Sequence, residues 1–208
     1  ALNGTMVKIE TVTVGSGGQA AIEFTNIPQT YDDIVVQFSA RGDNASISSG
    51  LRYTLNNDTG STKYSWRFLR GDGSAAGSQN AAAGTIGYLY AGEMSAASST
   101  SSTFGQGSVY FPNYRASQNK SSSVDAVSEN NATTAYTVLA ANLWADTSAI
   151  TSIKFTLSAG NFAQYSTATL YGISRTTAQI KATGGTVYDD ANYVYHLFTS
   201  SGVFTPLQ

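Results

Sequence analysis

Apolar and polar side chains alternate with a period of two along much of this chain, and that periodicity commits it to β-strands. Between residues 33 and 41, Ile34, Val36 and Phe38 share one face, with Val35, Gln37 and Ser39 on the other. Between 62 and 70, Tyr64, Trp66 and Phe68 alternate with Ser65, Arg67 and Leu69. Between 151 and 157, Ile153, Phe155 and Leu157 face away from Ser152, Lys154 and Thr156. Shorter runs at 6–14, 19–25, 51–56, 85–90, 108–111, 135–140 and 167–173 bring the expected strands to ten. Clusters such as Gly15-Ser16-Gly17-Gly18 and Asn56-Asn57-Asp58-Thr59-Gly60 separate them, residue types that supply turn conformations and local side-chain bonds. Helical periodicity is nearly absent. Residues 144–149 offer at most one turn, with Asp146 or Thr147 as its cap. Many short strands with frequent turns predict an all-β fold, a single antiparallel β-sandwich, jelly-roll-like, over residues 1–183.

Two kinds of segment break the rhythm. Residues 71–84 and 92–102 are small, polar and low in complexity, and are expected as long surface loops or as segments that order against a neighbouring subunit. Residues 184–208 read as an extended aromatic C-terminal arm. After Gly184-Gly185, Tyr193, Tyr195 and Leu197 alternate with Val194, His196 and Phe198, before a turn at Ser200-Ser201-Gly202. So apolar a segment is costly to leave in water. It either adds an edge strand to its own sheet or forms an inter-subunit contact, and the candidate contact residues are Tyr188, Tyr193, Tyr195, His196, Phe198 and Phe204.

Charge sharpens the second option. Lys and Arg number 11 and Asp and Glu 13, so charged residues make up 12% of the chain, against roughly 25% in an ordinary soluble domain. Ser, Thr, Asn and Gly must carry solubility, and these repel neighbours little. Such a surface suits a protein packed among copies of itself. A net charge of −2 with no basic run is a poor match to nucleic-acid phosphates. Zero Cys removes disulfides, thiolate metal sites and Cys nucleophiles, and one His cannot form a His-pair metal site. No apolar run is long enough to span a membrane as a helix. The opening Ala1-Leu2-Asn3-Gly4 lacks a signal-peptide pattern and suggests an initiator Met trimmed before a small residue.

Catalytic chemistry finds little purchase. Any Ser-His-Asp arrangement must use His196, which lies in a strand-like aromatic run, and no Gly-x-Ser-x-Gly elbow presents a nucleophile. Glycoside cleavage needs two positioned carboxylates. Glu10, Glu23, Glu93 and Glu129 are available, but the adjacent pairs Asp32-Asp33 and Asp189-Asp190 point to opposite faces of an extended strand. Asn56-Asn57-Asp58 reads as an Asx turn; calcium-loop spacing is absent. The expectation is no enzyme, no metal and no cofactor. Arg41-Gly42-Asp43 and Arg70-Gly71-Asp72 each close an expected strand and read as turn chemistry. Asn44-Ala45-Ser46 and Asn131-Ala132-Thr133 matter as sequons only in a secretory pathway. Tyr31, Tyr110, Tyr114, Tyr136 and Trp144 could line a lectin-like sugar site, although most occupy strand-core positions.

Several segments stand out together: Phe24-Thr25-Asn26-Ile27-Pro28-Gln29-Thr30-Tyr31-Asp32-Asp33-Ile34 with Phe38-Ser39-Ala40-Arg41, then Tyr64-Ser65-Trp66 and Phe111-Pro112-Asn113-Tyr114. Trp144-Ala145-Asp146-Thr147-Ser148-Ala149-Ile150-Thr151-Ser152-Ile153 and Ser166-Thr167-Ala168-Thr169-Leu170-Tyr171-Gly172-Ile173 complete the set, which spans most of residues 20–175. Together they resemble a recurring family of bacteriophage virion proteins. The resemblance implies a β-sandwich on the virion exterior, made in the host bacterial cytoplasm, either a head decoration or a tail-fibre component. The run from Tyr195 to Thr205 resembles a segment that in longer relatives leads into a glycine-rich adhesive region. A fibre shaft needs heptads or a fixed-period repeat, and neither is present. The expected role is therefore a non-enzymatic capsid decoration or cement protein. Its expected partners are copies of itself, as a homotrimer, and the major capsid protein. The alternative is a tail appendage, binding a tail component and a host surface glycan.

Overall fold

A computed structural model describes residues 6–131, 134–174, 182–189 and 194–206. Its first twelve strands are β1 (Met6–Thr13), β2 (Ala21–Phe24), β3 (Asp33–Ala40), β4 (Ser48–Leu55), β5 (Tyr64–Gly71), β6 (Ala76–Ala81), β7 (Leu89–Ser95), β8 (Gly105–Phe111), β9 (Lys120–Val127), β10 (Thr137–Trp144), β11 (Ile153–Leu157) and β12 (Thr167–Ile173). Four short strands follow: β13 (Ala182–Thr183), β14 (Thr186–Asp189), β15 (Val194–Leu197) and β16 (Thr205–Pro206). No helix occurs among the described residues.

The chain is all-β, an antiparallel sandwich of unequal sheets. The larger runs β1-β12-β3-β8-β9-β10-β5-β6 and the smaller β2-β11-β4-β7. In the stretch β1 to β4, and again at β7–β8 and β11–β12, successive strands cross from one sheet to the other. The excursions β5–β6 and β9–β10 both widen the larger sheet. Alternation decides which side chains meet between the layers. Ile34, Val36 and Phe38 turn inward on β3, as Leu51, Tyr53 and Leu55 do on β4 and Ile153, Phe155 and Leu157 on β11. At the centre Tyr53 meets Phe111 edge-on at 5.7 Å and Phe155 at 5.5 Å.

Close approach between the layers, and between neighbouring strands within one, depends on small residues. Gly92 sits at φ +108° in the β7 bulge, where a Cβ would come within 2.5 Å of the Ala126 Cβ. Gly107, paired with Ala126 across β8 and β9, would bring a Cβ to 2.8 Å from the Ala126 Cα. Neither position has room for a side chain.

The structure departs from the expected strands in instructive places. Residues 71–84 are not one loop: β6 lies within them, folded back on β5 by a turn in which Asp72 Oδ1 accepts from Ser74 N at 2.9 Å and Ala75 N at 2.8 Å. The strand expected at 85–90 lies later, at Leu89–Ser95, and so takes up part of the expected loop 92–102. The rest of that loop is held by Arg41, whose guanidinium donates to the carbonyls of Ser99, Thr100 and Thr103 at 2.7–3.1 Å. β9 was not expected at all. Its inward residues are Lys120, Ser122, Val124 and Ala126, a stripe too polar to register as hydrophobic alternation. No helical turn forms at 144–149: Trp144 ends β10, and Asp146 Oδ1 instead accepts from Ser148 N at 2.8 Å.

Beyond the end of β10, Lys63 Nζ contacts Asp146 Oδ2 at 2.6 Å and Asp58 Oδ2 at 3.6 Å, while Trp144 Nε1 donates to Asp58 Oδ2 at 3.0 Å. The Lys63 ammonium and the Ser148 N–H hold the Asp146 carboxyl well below the usual carboxylate range. Burial works against ionised Asp58, but the bonds from Trp144 and Gly60 and the charge of Lys63 outweigh it, so its pKa is also lowered. A depressed folded-state pKa contributes stability that is present above the unfolded value, about 3.9, and is lost as pH falls through the folded value. The melting temperature is expected to drop on acidification below about pH 4. Asp146→Asn should flatten that acid limb in circular-dichroism melts; an unchanged limb would exclude this network as its source.

Candidate subunit contact surface

The arm begins with two glycines, Gly184 at φ +118° and Gly185 at φ +68°, which link β13 to the β14–β15 hairpin. There Thr186 pairs with Leu197, Val187 with His196, Tyr188 with Tyr195 and Asp189 with Val194. β13 pairs with β16, closing the segment on itself. Among the described residues, neither two-stranded ladder joins a sheet of the sandwich.

Pairing with period two places Tyr188, Tyr195 and Leu197 on one face of the hairpin. Their exposures are 53%, 50% and 49%, and Phe204 (54%) and Val203 (77%) add to the apolar surface. His196 is turned to the other face. Its Nδ1 lies 2.8 Å from the Gly184 carbonyl oxygen, so that nitrogen carries the proton and donates, and its ring meets Phe204 edge-on at 5.0 Å. The Phe198 ring lies beside Gly184, Gly185 and Gly202. Of the candidate contacts, Tyr188, Tyr195, His196, Phe198 and Phe204 are thus brought together in one small unit. Tyr193 lies outside the described residues.

The outer face of the larger sheet carries a second apolar patch. Leu139 (56% exposed) stands directly opposite Leu69 (63%) across β10 and β5, and Leu143 (37%) lies farther along β10. Leu69 and Leu139, with Ala141 and Arg67, line a shallow depression of about 560 Å³. Sequence reasoning missed this patch. Its signal was present: a leucine on the otherwise polar Ser65-Arg67-Leu69 face of β5.

The remaining candidates serve the fold. Tyr114 and Trp144 are buried, with Tyr114 OH on the Pro28 carbonyl. Tyr110 OH donates to Asp33 at 2.7 Å, and Arg70 lies 5.1 Å above the Tyr136 ring. The five aromatics of the lectin-like inventory are therefore not gathered into one site. Asp32 pairs with Arg115 at 3.2 Å, whereas Asp33 is buried and accepts from Asn113 N at 2.8 Å. Asp43 accepts from Asn161 N at 2.7 Å, and Asp72 caps the β5–β6 turn, so the aspartates of both Arg-Gly-Asp tripeptides are held within the fold. Glu129 accepts from Asn130 N and Asn131 N, and Glu93 and Glu129 line separate cavities. Most of the sequon Asn131-Ala132-Thr133, and Asp190, lie outside the described residues. Among the described residues no cluster of three or more His, Asp or Glu could hold a metal ion, and no helix is long and apolar enough to cross a membrane. Comparison with protein-family models, with curated proteins and with solved structures finds no match to this chain.

Proposed function

We propose that this chain is a non-enzymatic structural protein of a bacteriophage virion, a capsid decoration or cement protein that associates through its C-terminal arm. The observation that carries the reading is the arm itself, whose self-paired hairpin exposes Tyr188, Tyr195 and Leu197 on one face, with Phe204 exposed beside His196 on the other, in a chain with only 12% charged residues. An exposed aromatic patch of this kind is the composition of an interface core. Burying it against neighbours would recover roughly 25 cal/mol for each Å² of apolar surface removed from water. The Leu69–Leu139 patch gives each copy a second, different apolar surface. Two unlike patches suit head-to-tail contact, which closes into rings such as trimers.

The strand order supports the same reading. Taken without the two excursions, the sheets run β1-β12-β3-β8 and β2-β11-β4-β7. We read this eight-strand kernel as two nested Greek keys, a jelly roll, an architecture found in viral capsid and lectin domains. Architecture alone assigns no function, so the arm remains the test. Removing residues 184–208 is expected to leave the cooperative melt of the sandwich intact. It should also convert an oligomer into a monomer in sedimentation and abolish co-sedimentation with heads that lack this protein. Unchanged association by the shortened chain would overturn the proposal. Binding to tail structures or host cells, with only a few copies in each particle, would favour the tail-appendage reading instead.

A further inference from the structure

The β5–β6 hairpin overhangs the edge of the smaller sheet, and a cleft of about 250 Å³ lies beneath it. The alternation that sends Leu51, Tyr53 and Leu55 into the core turns Gly50 and Arg52 outward on β4. Register then sets Glu93 beside Gly50 and Tyr90 beside Arg52. These residues form the floor, with Ser158 at one end. Trp66 and Phe68 from β5 form the wall.

The wall is stiff. Phe68, Tyr90 and Trp66 form a three-ring cluster, with Phe68 4.6 Å from Tyr90 and 5.4 Å from Trp66, and Trp66 5.5 Å from Tyr90. The backbone of Tyr90 is gripped by the buried Asn142 amide, whose Oδ1 accepts from Tyr90 N and whose Nδ2 donates to Tyr90 O, both at 3.1 Å. The Ser158 hydroxyl accepts from Gly50 N at 3.0 Å, fixing the floor.

Hydrogen-bonding capacity is left over. Arg52 and Glu93 line one small cleft, yet they are not paired: the described ion pairs join Lys63 to Asp58 and Asp146, and Arg115 to Asp32. Arg52 lies 4.2 Å above the Tyr88 ring, a contact that spends no N–H. Glu93 accepts from Tyr90 OH at 2.9 Å through Oε1, which leaves Oε2. The buried indole N–H of Trp66, also a lining residue, has no partner. The Arg52 N–H groups and Glu93 Oε2, facing one cleft, therefore call for a polar occupant.

We propose that the cleft binds one neutral sugar ring. An anion drawn to Arg52 would meet the charge of Glu93, and a cation drawn to Glu93 would meet Arg52. An apolar ligand would desolvate both charges without bonding either. A hydroxyl group both donates and accepts, so neighbouring hydroxyls on one ring can satisfy Glu93 Oε2 and the Arg52 N–H groups together. The aromatic wall supplies an apolar surface for the ring's C–H face. The volume lies below the usual range for drug-sized ligands, about 300–1,000 Å³, which fits a single terminal residue of a glycan. The proposal stands on the cleft alone and does not require the virion reading.

The test is a titration of the purified full chain followed by NMR of its two tryptophan indole N–H signals. The probes are glucose, galactose, mannose and N-acetylglucosamine, with glucuronate as the anionic comparison. At least one neutral sugar is expected to shift the Trp66 signal saturably, with a Kd in the millimolar range, while Trp144, held on Asp58, stays put. Glu93→Gln and Arg52→Met should each weaken binding about tenfold. Lys8→Gln, exposed on β1 and outside the cleft, should leave it unchanged. Absence of a saturable shift with every neutral sugar on the unmodified chain would overturn the proposal. So would tighter binding of glucuronate, or full binding by both cleft variants. Because the readout needs no particle, sugar binding and particle association can fail separately.

Discussion

Trp144→Ala is expected to remove about 3–5 kcal/mol of folding stability, a large share of the 5–15 kcal/mol typical of a domain. The ring is 2% exposed and sits in the main core. Truncation leaves a cavity that a two-layer sandwich closes poorly, since each sheet is held by its own ladders. A second loss follows. Trp144 Nε1 holds the turn after β4 through Asp58, whose backbone carbonyl also accepts from the buried Tyr64 OH at 2.8 Å. Trp144→Phe separates the two effects: it keeps most of the packing and removes only the N–H, for an expected cost of about 1 kcal/mol. Urea unfolding followed by circular dichroism measures both. Equal midpoints for the two variants would show that the hydrogen bond, not the packing, dominates.

Lys120→Met is the second large effect, expected at about 2–4 kcal/mol. Lys120 points into the molecule at 2% exposure, and burial lowers its pKa below the usual lysine range. Its ammonium donates to the carbonyls of Ala116 at 2.7 Å, Gln118 at 2.5 Å and Thr147 at 3.3 Å. These acceptors belong to two loops, one before β9 and one after β10, so one side chain ties both together. Methionine keeps the apolar stem and removes the donor. Amide exchange at Ile150, whose N–H bonds Tyr114 O between the same loops at 2.9 Å, should accelerate more than exchange at the β3 core. A uniform acceleration would mean that Lys120 stabilises the whole fold and does not act as a local tie.

Lys120 also shows where reading the sequence stops. Alternation located Ile34-Val36-Phe38 and Ile153-Phe155-Leu157 because their inward faces are oily, and the sandwich followed from them. β9 turns Lys120 and Ser122 inward, and each is satisfied by specific partners: Lys120 by carbonyls of two loops, and Ser122 by Tyr53, whose OH lies 2.6 Å from its Oγ. No pattern of hydropathy reports a partner 69 residues away. β6 failed for the opposite reason. Ala76-Gly77-Ser78-Gln79-Asn80-Ala81 buries almost nothing, and it is a strand because the Asp72-Gly73 turn returns it to β5. That dipeptide is a hairpin signal readable in advance. The arm's candidate contacts were legible as an aromatic run, and Tyr188 and Tyr195 do share a face. The cleft was not: Arg52, Trp66 and Glu93 come from three strands whose meeting depends on how far the larger sheet outgrows the smaller.

That difference in width has a consequence for how such a molecule can diversify. The chain leaves the smaller sheet at β4 and re-enters it at β7, its immediate neighbour, and the outermost part of that excursion, β6, lies at the edge of the larger sheet with β5 as its one ladder partner among the described residues. The length and sequence of the β5–β6 turn can drift while the kernel strands and β10 keep the partners they have. The Ser74 tip is accordingly a natural graft point for a displayed peptide, carried on a platform whose own register the insertion does not touch.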